Sequence, residues 1–267
     1  MKRLLPVLAV LAAFAVPSVA AAHNSSGVVL KVDRSAHLIG VTQGPHHVSL
    51  VHTAAASRLR VGQRISLNAR TLRNGTLTAS RVRVVGRAHT VRFRGLVLAR
   101  SHGKLVVSSG GAVISVRTAH RRSVSSARDG GPAVNTEVDV EAQVNDDELD
   151  AENIQTVSAT SPGGKIEGTL TLGTGTVTVV SDQLALVLKV PLTGIDLTSL
   201  VAGQRVLATF TQGTDGSLTL TAISADDNAQ QADEGDSGDN SGDNSDQDDG
   251  SGQGGSQGSD GGSGGSR

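Results

Sequence analysis

Hydrophobic and polar positions alternate in short runs along most of the chain, and the clearest run lies between Leu59 and Gly86. Within it, Ile65 to Ala69 has an apolar residue at every second position, the period of a half-buried strand. Asn74-Gly75 favours a tight hairpin turn because both residues tolerate positive φ. Leu77 to Val82 breaks the alternation once, which predicts a β-bulge. The run therefore predicts a β-hairpin, which the chain enters through a turn at Gly62.

The same hairpin pattern occurs three times. The second copy runs from Ala133 to Ser158 and has Asn135 at the position of Gly62. The third copy runs from Leu200 to Ala225 and has Gly203 there. Asn tolerates a left-handed backbone better than most other residues do, so all three positions suit the same turn. Matching offsets across three copies indicate an internal repeat.

Three shorter runs, each typical of a strand, precede each hairpin. The first begins at Gly27-Val28-Val29-Leu30 and recurs at Gly95-Leu96-Val97-Leu98 and at Gly168-Thr169-Leu170-Thr171. A short helical or irregular link follows the third strand, for example at Ala54 to Leu59. Three strands, a link and two strands is the order of the OB fold, a five-stranded barrel.

The sequence thus predicts an all-β chain of three tandem, small, five-stranded OB-like barrels. Small β-sandwiches remain the alternative, because regular strand spacing fits both architectures. The expected segments are a signal peptide at residues 1–22, OB-like repeats at 23–87, 88–160 and 161–225, and a disordered acidic tail at 226–267.

The two ends of the chain differ from its middle. Lys2 and Arg3, followed by an apolar run from Leu4 to Val16, predict a signal peptide cleaved near Ala20 to Ala22. We therefore expect a secreted bacterial protein, extracellular or in the cell envelope, with no transmembrane segment after cleavage. From Asp226 the chain is mostly Asp, Ser, Gly, Asn and Gln, which cannot bury enough apolar surface to fold.

The amino-acid composition excludes several kinds of functional site. The chain has no Cys, Trp or Tyr and only 3 Phe, so it has no disulfide, thiolate metal site or thiol nucleophile. His46, His47 and His52 are the best metal candidates, but neighbouring residues on one strand point to opposite faces, so one ion cannot reach all three. No phosphate-binding loop or dinucleotide motif occurs. We expect no enzyme activity, catalytic residue, cofactor or metal.

Charge is distributed very unevenly. His23 to Arg128 contains 18 Lys or Arg against one acidic residue, whereas Asp129 to Arg267 contains 24 acidic residues against 4 basic ones. Such a basic half predicts salt-dependent affinity for polyanions. The candidate binding residues are Arg58, Arg60, Arg64, Arg73, Arg81, Arg83, Arg92, Arg94, Arg121 and Arg122.

The partner that fits best is an anionic wall polymer or a layer of lipid headgroups. Specific nucleic-acid binding is not expected, because domains that hold single strands usually stack bases on aromatic side chains. The acidic tail would then solvate the protein and compete for the basic half. The alternative is a structural or protein-interaction module whose charges serve solubility and self-neutralisation. The sequence sets no oligomeric state.

Two motifs carry a family resemblance. Val61-Gly62-Gln63-Arg64-Ile65 and Gly75-Thr76-Leu77-Thr78-Ala79-Ser80-Arg81-Val82 resemble the bacterial family labelled domain of unknown function 5666. Repeat three is similar at Gly203-Gln204-Arg205-Val206, and repeat two departs at Asn135-Thr136-Glu137-Val138. The resemblance covers most of Ser26 to Ala225. It implies an exported OB-like β module without known catalytic residues or an agreed ligand.

Overall fold

The computed structural model describes residues 23–101, 103–118, 131–157, 163–182, 184–213 and 215–226. This part of the chain contains fifteen β-strands and one 3-10 helix, arranged as three closed five-stranded barrels. The chain is all-β, as the sequence predicted, and closure of each sheet excludes the sandwich alternative. The signal peptide predicted at 1–22 and the predicted tail beyond Asp226 lie outside the described residues.

Each barrel takes its five strands from one continuous part of the chain. Barrel 1 consists of β1 (His23–Asp33), β2 (Leu38–Thr42), β3 (Val48–His52), the 3-10 helix Ala54–Arg58, β4 (Gln63–Thr71) and β5 (Leu77–Arg87). Barrel 2 consists of β6 (Thr90–Ser101), β7 (Lys104–Ser109), β8 (Ala112–Arg117), β9 (Glu137–Asn145) and β10 (Glu148–Thr156). Barrel 3 consists of β11 (Gly163–Gly173), β12 (Thr176–Ser181), β13 (Leu184–Lys189), β14 (Arg205–Gln212) and β15 (Leu218–Ala225).

The strand order is the same in all three barrels. In barrel 1 the hydrogen-bonded order is β1-β2-β3-β5-β4, and β4 returns to pair with β1. One short parallel contact, Val51 opposite Leu77, joins β3 to β5, and all other neighbours are antiparallel. This order, with a link between the third and fourth strands, is that of the OB fold.

The turn before the fourth strand has the same backbone in each repeat. Gly62, Asn135 and Gly203 all have positive φ, at 82°, 65° and 89°. Their amides donate to a carbonyl oxygen of the first strand in the same barrel, at distances of 2.6–2.8 Å, and the acceptors are Val29, Val97 and Leu170. The three turns therefore have equivalent structures, as the matching sequence offsets predicted.

The predicted bulge is also confirmed. Ala69 pairs with Ala79 and Asn68 pairs with Arg81, which leaves Ser80 as the extra residue of β5. The fifth strands of barrels 2 and 3 contain the same irregularity, at Glu152 and Thr221. The bulge reverses which residues point outward along the rest of the strand.

The three barrels are packed against one another. The outer face of β2 and β3 is buried as completely as the inside of barrel 1, and it includes Leu38, Leu50 and Val48. The turn Gly110-Gly111 between β7 and β8 lies against this face. A Cβ on Gly110 would lie 1.9 Å from the carbonyl oxygen of Val48, so only glycine allows the approach.

Barrel 3 completes this junction. Gly111 forms an isolated parallel bridge with Ile166, and the Glu167 amide donates to the Gly111 carbonyl at 3.0 Å. Two ion pairs join barrels 1 and 3, Lys31–Asp182 at 2.9 Å and Asp33–Arg205 at 3.2 Å, and His52 Nε2 lies 3.1 Å from Asp226 Oδ1. Asp226, which the sequence assigned to the tail, is buried, because its carboxylate meets His52 and its amide donates to the Arg205 carbonyl.

Candidate functional site

The candidate site lies on the solvent-exposed outer side of barrel 1, which is formed by β4, β5 and the start of β1. The outer face of β2 and β3, in contrast, is buried. Every second residue of β4 from Ile65 to Ala69 is buried inside the barrel. Strand alternation therefore turns the intervening positions outward. The outward residues of β4 are Arg64, Ser66, Asn68 and Arg70.

Strand β5 extends this surface. After the bulge at Ser80, Arg81 lies opposite Asn68 and Arg83 lies opposite Ser66. On the other side of β4, Asn24 and Ser26 of β1 lie opposite the same two residues. We call this surface the arginine face, and it consists of Asn24, Ser26, Arg64, Ser66, Asn68, Arg70, Arg81 and Arg83.

Three arginines of the arginine face carry positive charge that no described acidic residue neutralises. Arg64, Arg81 and Arg83 are exposed, and no acidic residue in the described part of the chain pairs with them. Barrel 1 as a whole contains ten Lys or Arg residues against one acid, Asp33. Two more exposed arginines of the predicted set, Arg58 and Arg73, lie in the 3-10 helix and the β4–β5 turn, also with no acidic partner among described residues.

Three other predicted arginines are neutralised by acids of barrel 2. Arg60 lies 3.7 Å from Asp147, which Arg87 also contacts at 3.2 Å. Arg92 donates to Glu141 at 2.7 Å. Arg94 makes two hydrogen bonds of 2.8 Å to Asp139, and these bonds hold the pKa of that carboxyl below its usual value. The remaining two, Arg121 and Arg122, lie outside the described residues.

The corresponding surface of barrel 2 has the opposite composition. By the repeat offset, Glu137, Asp139 and Glu141 of β9 occupy the places of Arg64, Ser66 and Asn68. Arg92 and Arg94 of β6 lie directly opposite Glu141 and Asp139. The same backbone therefore carries a self-neutralised surface in barrel 2 and an uncompensated one in barrel 1.

A cleft of about 580 Å³ lies where the three barrels meet. Its charged lining is mixed and consists of His46, His47, Arg94, Glu137 and Lys165. His46 Nδ1 lies 3.2 Å from Asp139 Oδ1, and Arg94 is bonded to the same carboxylate, whereas Lys165 has no acidic partner among the described residues. The cleft therefore lacks the concentration of unpaired arginines that the arginine face has.

The structure separates the three histidines that were the best metal candidates. His46 and His47 precede β3, and His52 is buried at its end, 3.1 Å from Asp226. Among described residues, no group of three His, Cys, Asp or Glu side chains is placed to hold a metal ion. No described helix is long and apolar enough to cross a membrane.

Sequence reasoning missed the ionic cluster between barrels 1 and 3. Burial raises the pKa of Glu167, although the adjacent Arg205 charge opposes this effect. Burial also raises the pKa of Asp33, but hydrogen bonds from Ser35 and the Ala36 amide, with the Arg205 charge, bring it below its usual value. The available signal was that Asp33 is the single acid of a very basic segment and Glu167 interrupts an apolar strand.

Comparison with known proteins gives little beyond these features. No family model matches the chain, and no curated protein matches it. Among solved structures, the chain is similar to a Drosophila protein described as Unr CSD456, with 15% sequence identity and a TM-score of 0.21. The match covers 77% of this chain and 99% of that chain. At this level of similarity the match supports no functional argument.

Proposed function

We propose that this chain is an exported, non-catalytic binding protein that holds an anionic polymer of the bacterial cell envelope through the arginine face of barrel 1. The observation that carries the proposal is the group of exposed arginines without described acidic partners that lie together on one surface of barrel 1. Clustered uncompensated charge of one sign attracts polyanions and gives affinity that falls with salt. The resemblance to an exported module of unknown ligand agrees with this proposal.

Export is part of the same proposal. Strand β1 begins at His23 and pairs with β4 from that residue onward. Removal of a signal peptide near Ala20 to Ala22 would therefore leave barrel 1 with all its ladder partners. The mass of the protein recovered from culture medium or envelope should correspond to a chain starting within a few residues of His23. Recovery of the uncleaved chain from the cytoplasm would contradict export.

A second candidate function has its own supporting observation. Arg60, Arg87, Arg92 and Arg94 are all engaged by acids of barrel 2. In this alternative the charges hold the barrels together and keep the protein soluble, with no polymer ligand. The two candidates differ in what they require of Arg64, Arg81 and Arg83, which the alternative leaves without a role.

The test compares two triple variants that remove equal charge. The first variant removes three charges from the arginine face through Arg64→Gln, Arg81→Gln and Arg83→Gln. The control, Arg60→Gln, Arg87→Gln and Arg92→Gln, removes three arginines that already have acidic partners. At about 1 kcal/mol per arginine near an anionic surface, the three changes total about 3 kcal/mol, so we expect the first variant to lose about 100-fold in affinity for purified cell walls at low salt. The control should lose much less.

Three results would decide the matter. Retention of the wild-type chain at low salt, release by raised salt and loss in the first variant alone would support the proposal. Equal loss in both variants would show that net charge, not the arginine face, controls binding. No retention of the wild-type chain on cell walls or on vesicles of anionic phospholipid would leave the structural alternative.

A further inference from the structure

We propose that the arginine face binds a polyol phosphodiester, a linear polymer whose phosphates are separated by uncharged, hydroxylated spacers. This inference rests on the proposed function and specifies the ligand of the same site. It follows from the kind of cation on the face, from the spacing of those cations and from the residues between them.

The cations of the arginine face are all arginine. Arg64, Arg81 and Arg83 supply guanidinium groups without an acidic partner among the described residues, and no lysine lies on this surface. A guanidinium presents several N–H donors in a planar fork that can bind two oxygens of one phosphate, whereas an ammonium acts as a point charge. A face built from such forks suits discrete, tetrahedral anions along a chain.

The spacing of the arginines indicates a polymer with separated charges. Arg81 and Arg83 are two residues apart on one strand face, so their Cα atoms are roughly 7 Å apart. Arg83 and Arg81 of β5 lie opposite Ser66 and Asn68 of β4, so Arg64, Arg83 and Arg81 follow one another along the face in steps of roughly 7 Å. The guanidinium groups are therefore distributed over the surface instead of converging on one point. An extended polymer fits this distribution better than a single small anion.

The residues between the arginines complete the pattern. Asn24, Ser26, Ser66 and Asn68 form two adjacent rows across β1 and β4, each row ending at an arginine of β5. Their hydroxyl and amide groups both donate and accept hydrogen bonds, as the hydroxyls of a polyol spacer do. They match uncharged, hydroxylated links between phosphates and offer no acid that would repel those phosphates.

The arginine face lacks the features that would favour nucleic acid. No aromatic residue lies on it, since Phe93 and Phe210, which are 1% and 0% exposed, fill the cores of barrels 2 and 3. Proteins that hold single strands obtain much of their affinity by stacking bases on aromatic rings. A phosphodiester without bases therefore uses every group on this face, whereas a nucleic acid leaves its bases without a partner.

The test measures binding of the full chain to four polyanions at one ionic strength. The probes are poly(glycerol phosphate), polyphosphate, polygalacturonate and single-stranded oligo(dT), matched in number of charges. We expect poly(glycerol phosphate) to bind most tightly. Polyphosphate carries the anion without spacers, polygalacturonate carries carboxylates, and oligo(dT) carries phosphates with bases, so each lacks one feature of the proposed ligand.

A second measurement tests the role of the spacers. Changing Ser66→Ala and Asn68→Ala should weaken binding of poly(glycerol phosphate) by about three- to tenfold, from the loss of net hydrogen bonds. Binding of polyphosphate should stay within twofold, because every arginine remains. The matched control, Asn153→Ala and Gln155→Ala, changes one half-buried and one exposed polar residue of barrel 2, as the first pair does in barrel 1, and should alter neither. Circular dichroism confirms that the variants fold.

The possible outcomes separate this inference from the proposed function. Tight, salt-dependent binding of all four polymers with equal affinity would overturn the inference and leave polyanion binding intact. Preference for polygalacturonate or oligo(dT), or equal loss of both phosphate polymers in the Ser66 and Asn68 variant, would also overturn it. Absence of binding to every probe would overturn both proposals.

Discussion

At the scale of single residues, three glycines control how closely the second strand approaches the first in each barrel. A Cβ on Gly27, Gly95 or Gly168 would lie 2.3–2.4 Å from a carbonyl oxygen of the second strand. None of the three has positive φ, so their role is steric rather than conformational. The sequence revealed their equivalence through the offset, but the reason for glycine depends on a contact with another strand.

Replacing Gly168 should therefore destabilise barrel 3. In Gly168→Ala the new methyl group meets the Val180 carbonyl oxygen at 2.4 Å, and strand separation should cost about 1–3 kcal/mol of unfolding free energy. The control is Gly131→Ala, where the nearest atoms belong to the flexible guanidinium of Arg100 at 3.8 Å. Urea denaturation measures both. Equal unfolding midpoints for the two variants would contradict the steric role.

The sequence predicted the local features of the chain and missed those that depend on distant residues. Alternation and the Asn74-Gly75 turn are local, so the hairpins and the bulge at Ser80 were predicted correctly. Which arginines are neutralised was not predicted, because the partners of Arg60 and Arg92, which are Asp147 and Glu141, lie far along the chain. The count of arginines identified the basic segment without separating paired from unpaired residues.

At the scale of elements, the outer face of the first three strands differs among the barrels. In barrel 1 it carries Leu38 and Leu50 and is buried. In barrel 2 it carries Leu96, Leu98 and Val113, which pack against barrel 3. In barrel 3 the places of Leu96 and Leu98 are taken by Thr169 and Thr171, on a face with exposed Val180 and Val187. Barrel 3 therefore differs from the other two in having a partly polar, exposed outer face, as the terminal repeat of a tandem array often does.

The contribution of Glu167, at the contact between β11 and β14, to the unfolding free energy depends on pH, and the burial of its side chain determines the sign. The Glu167 side chain is 3% exposed and meets Arg205 Nε at 2.7 Å, while Lys31 and Asp226 also act on it electrostatically. Burial raises its pKa above the usual 4.5. A raised pKa in the folded state means that Glu167 loses stabilising effect as pH rises from about 4.5 through the folded-state pKa.

Glu167→Gln should remove that dependence. We expect the unfolding free energy of the variant, relative to wild type, to increase between about pH 4.5 and pH 8, by at most about 1.4 kcal/mol per pH unit. Urea midpoints at several pH values measure the difference. Asp33, whose pKa is lowered, titrates below this window in both proteins and does not disturb it. A difference that is constant with pH would contradict the effect of burial on Glu167.

At the scale of the whole described unit, the Gly110-Gly111 turn contacts both neighbouring barrels at the point where all three meet. Gly110 approaches Val48 of barrel 1, and Gly111 approaches both Leu50 of barrel 1 and Leu207 of barrel 3. The sequence could not reveal this junction, since the turn resembles any other glycine hairpin. An indirect signal was the run Leu38 to Val41, which is apolar on both faces and therefore typical of a strand buried on both sides.

Gly110→Ala should uncouple the barrels. The methyl group would lie 1.9 Å from the Val48 carbonyl oxygen, so barrel 1 must move away from the turn. We expect urea unfolding to change from one transition to two, with a lower slope for each. Gly103→Ala is the control, because Gly103 also has positive φ, at 73°, but its new methyl group meets only the Thr118 carbonyl oxygen, at 3.9 Å. A single transition with the same midpoint in both variants would contradict the role of the turn.

The contact between barrels 1 and 3 can form only late in synthesis. Asp33 meets Arg205, 172 positions later. At about 5–20 residues per second, the ribosome delivers that partner roughly 10–30 s after Asp33. Barrel 2 is made first, so its Gly110-Gly111 turn can cover Leu50 before barrel 3 exists. The nascent chain therefore holds the Asp33 carboxylate without its Arg205 partner until the last barrel has been made.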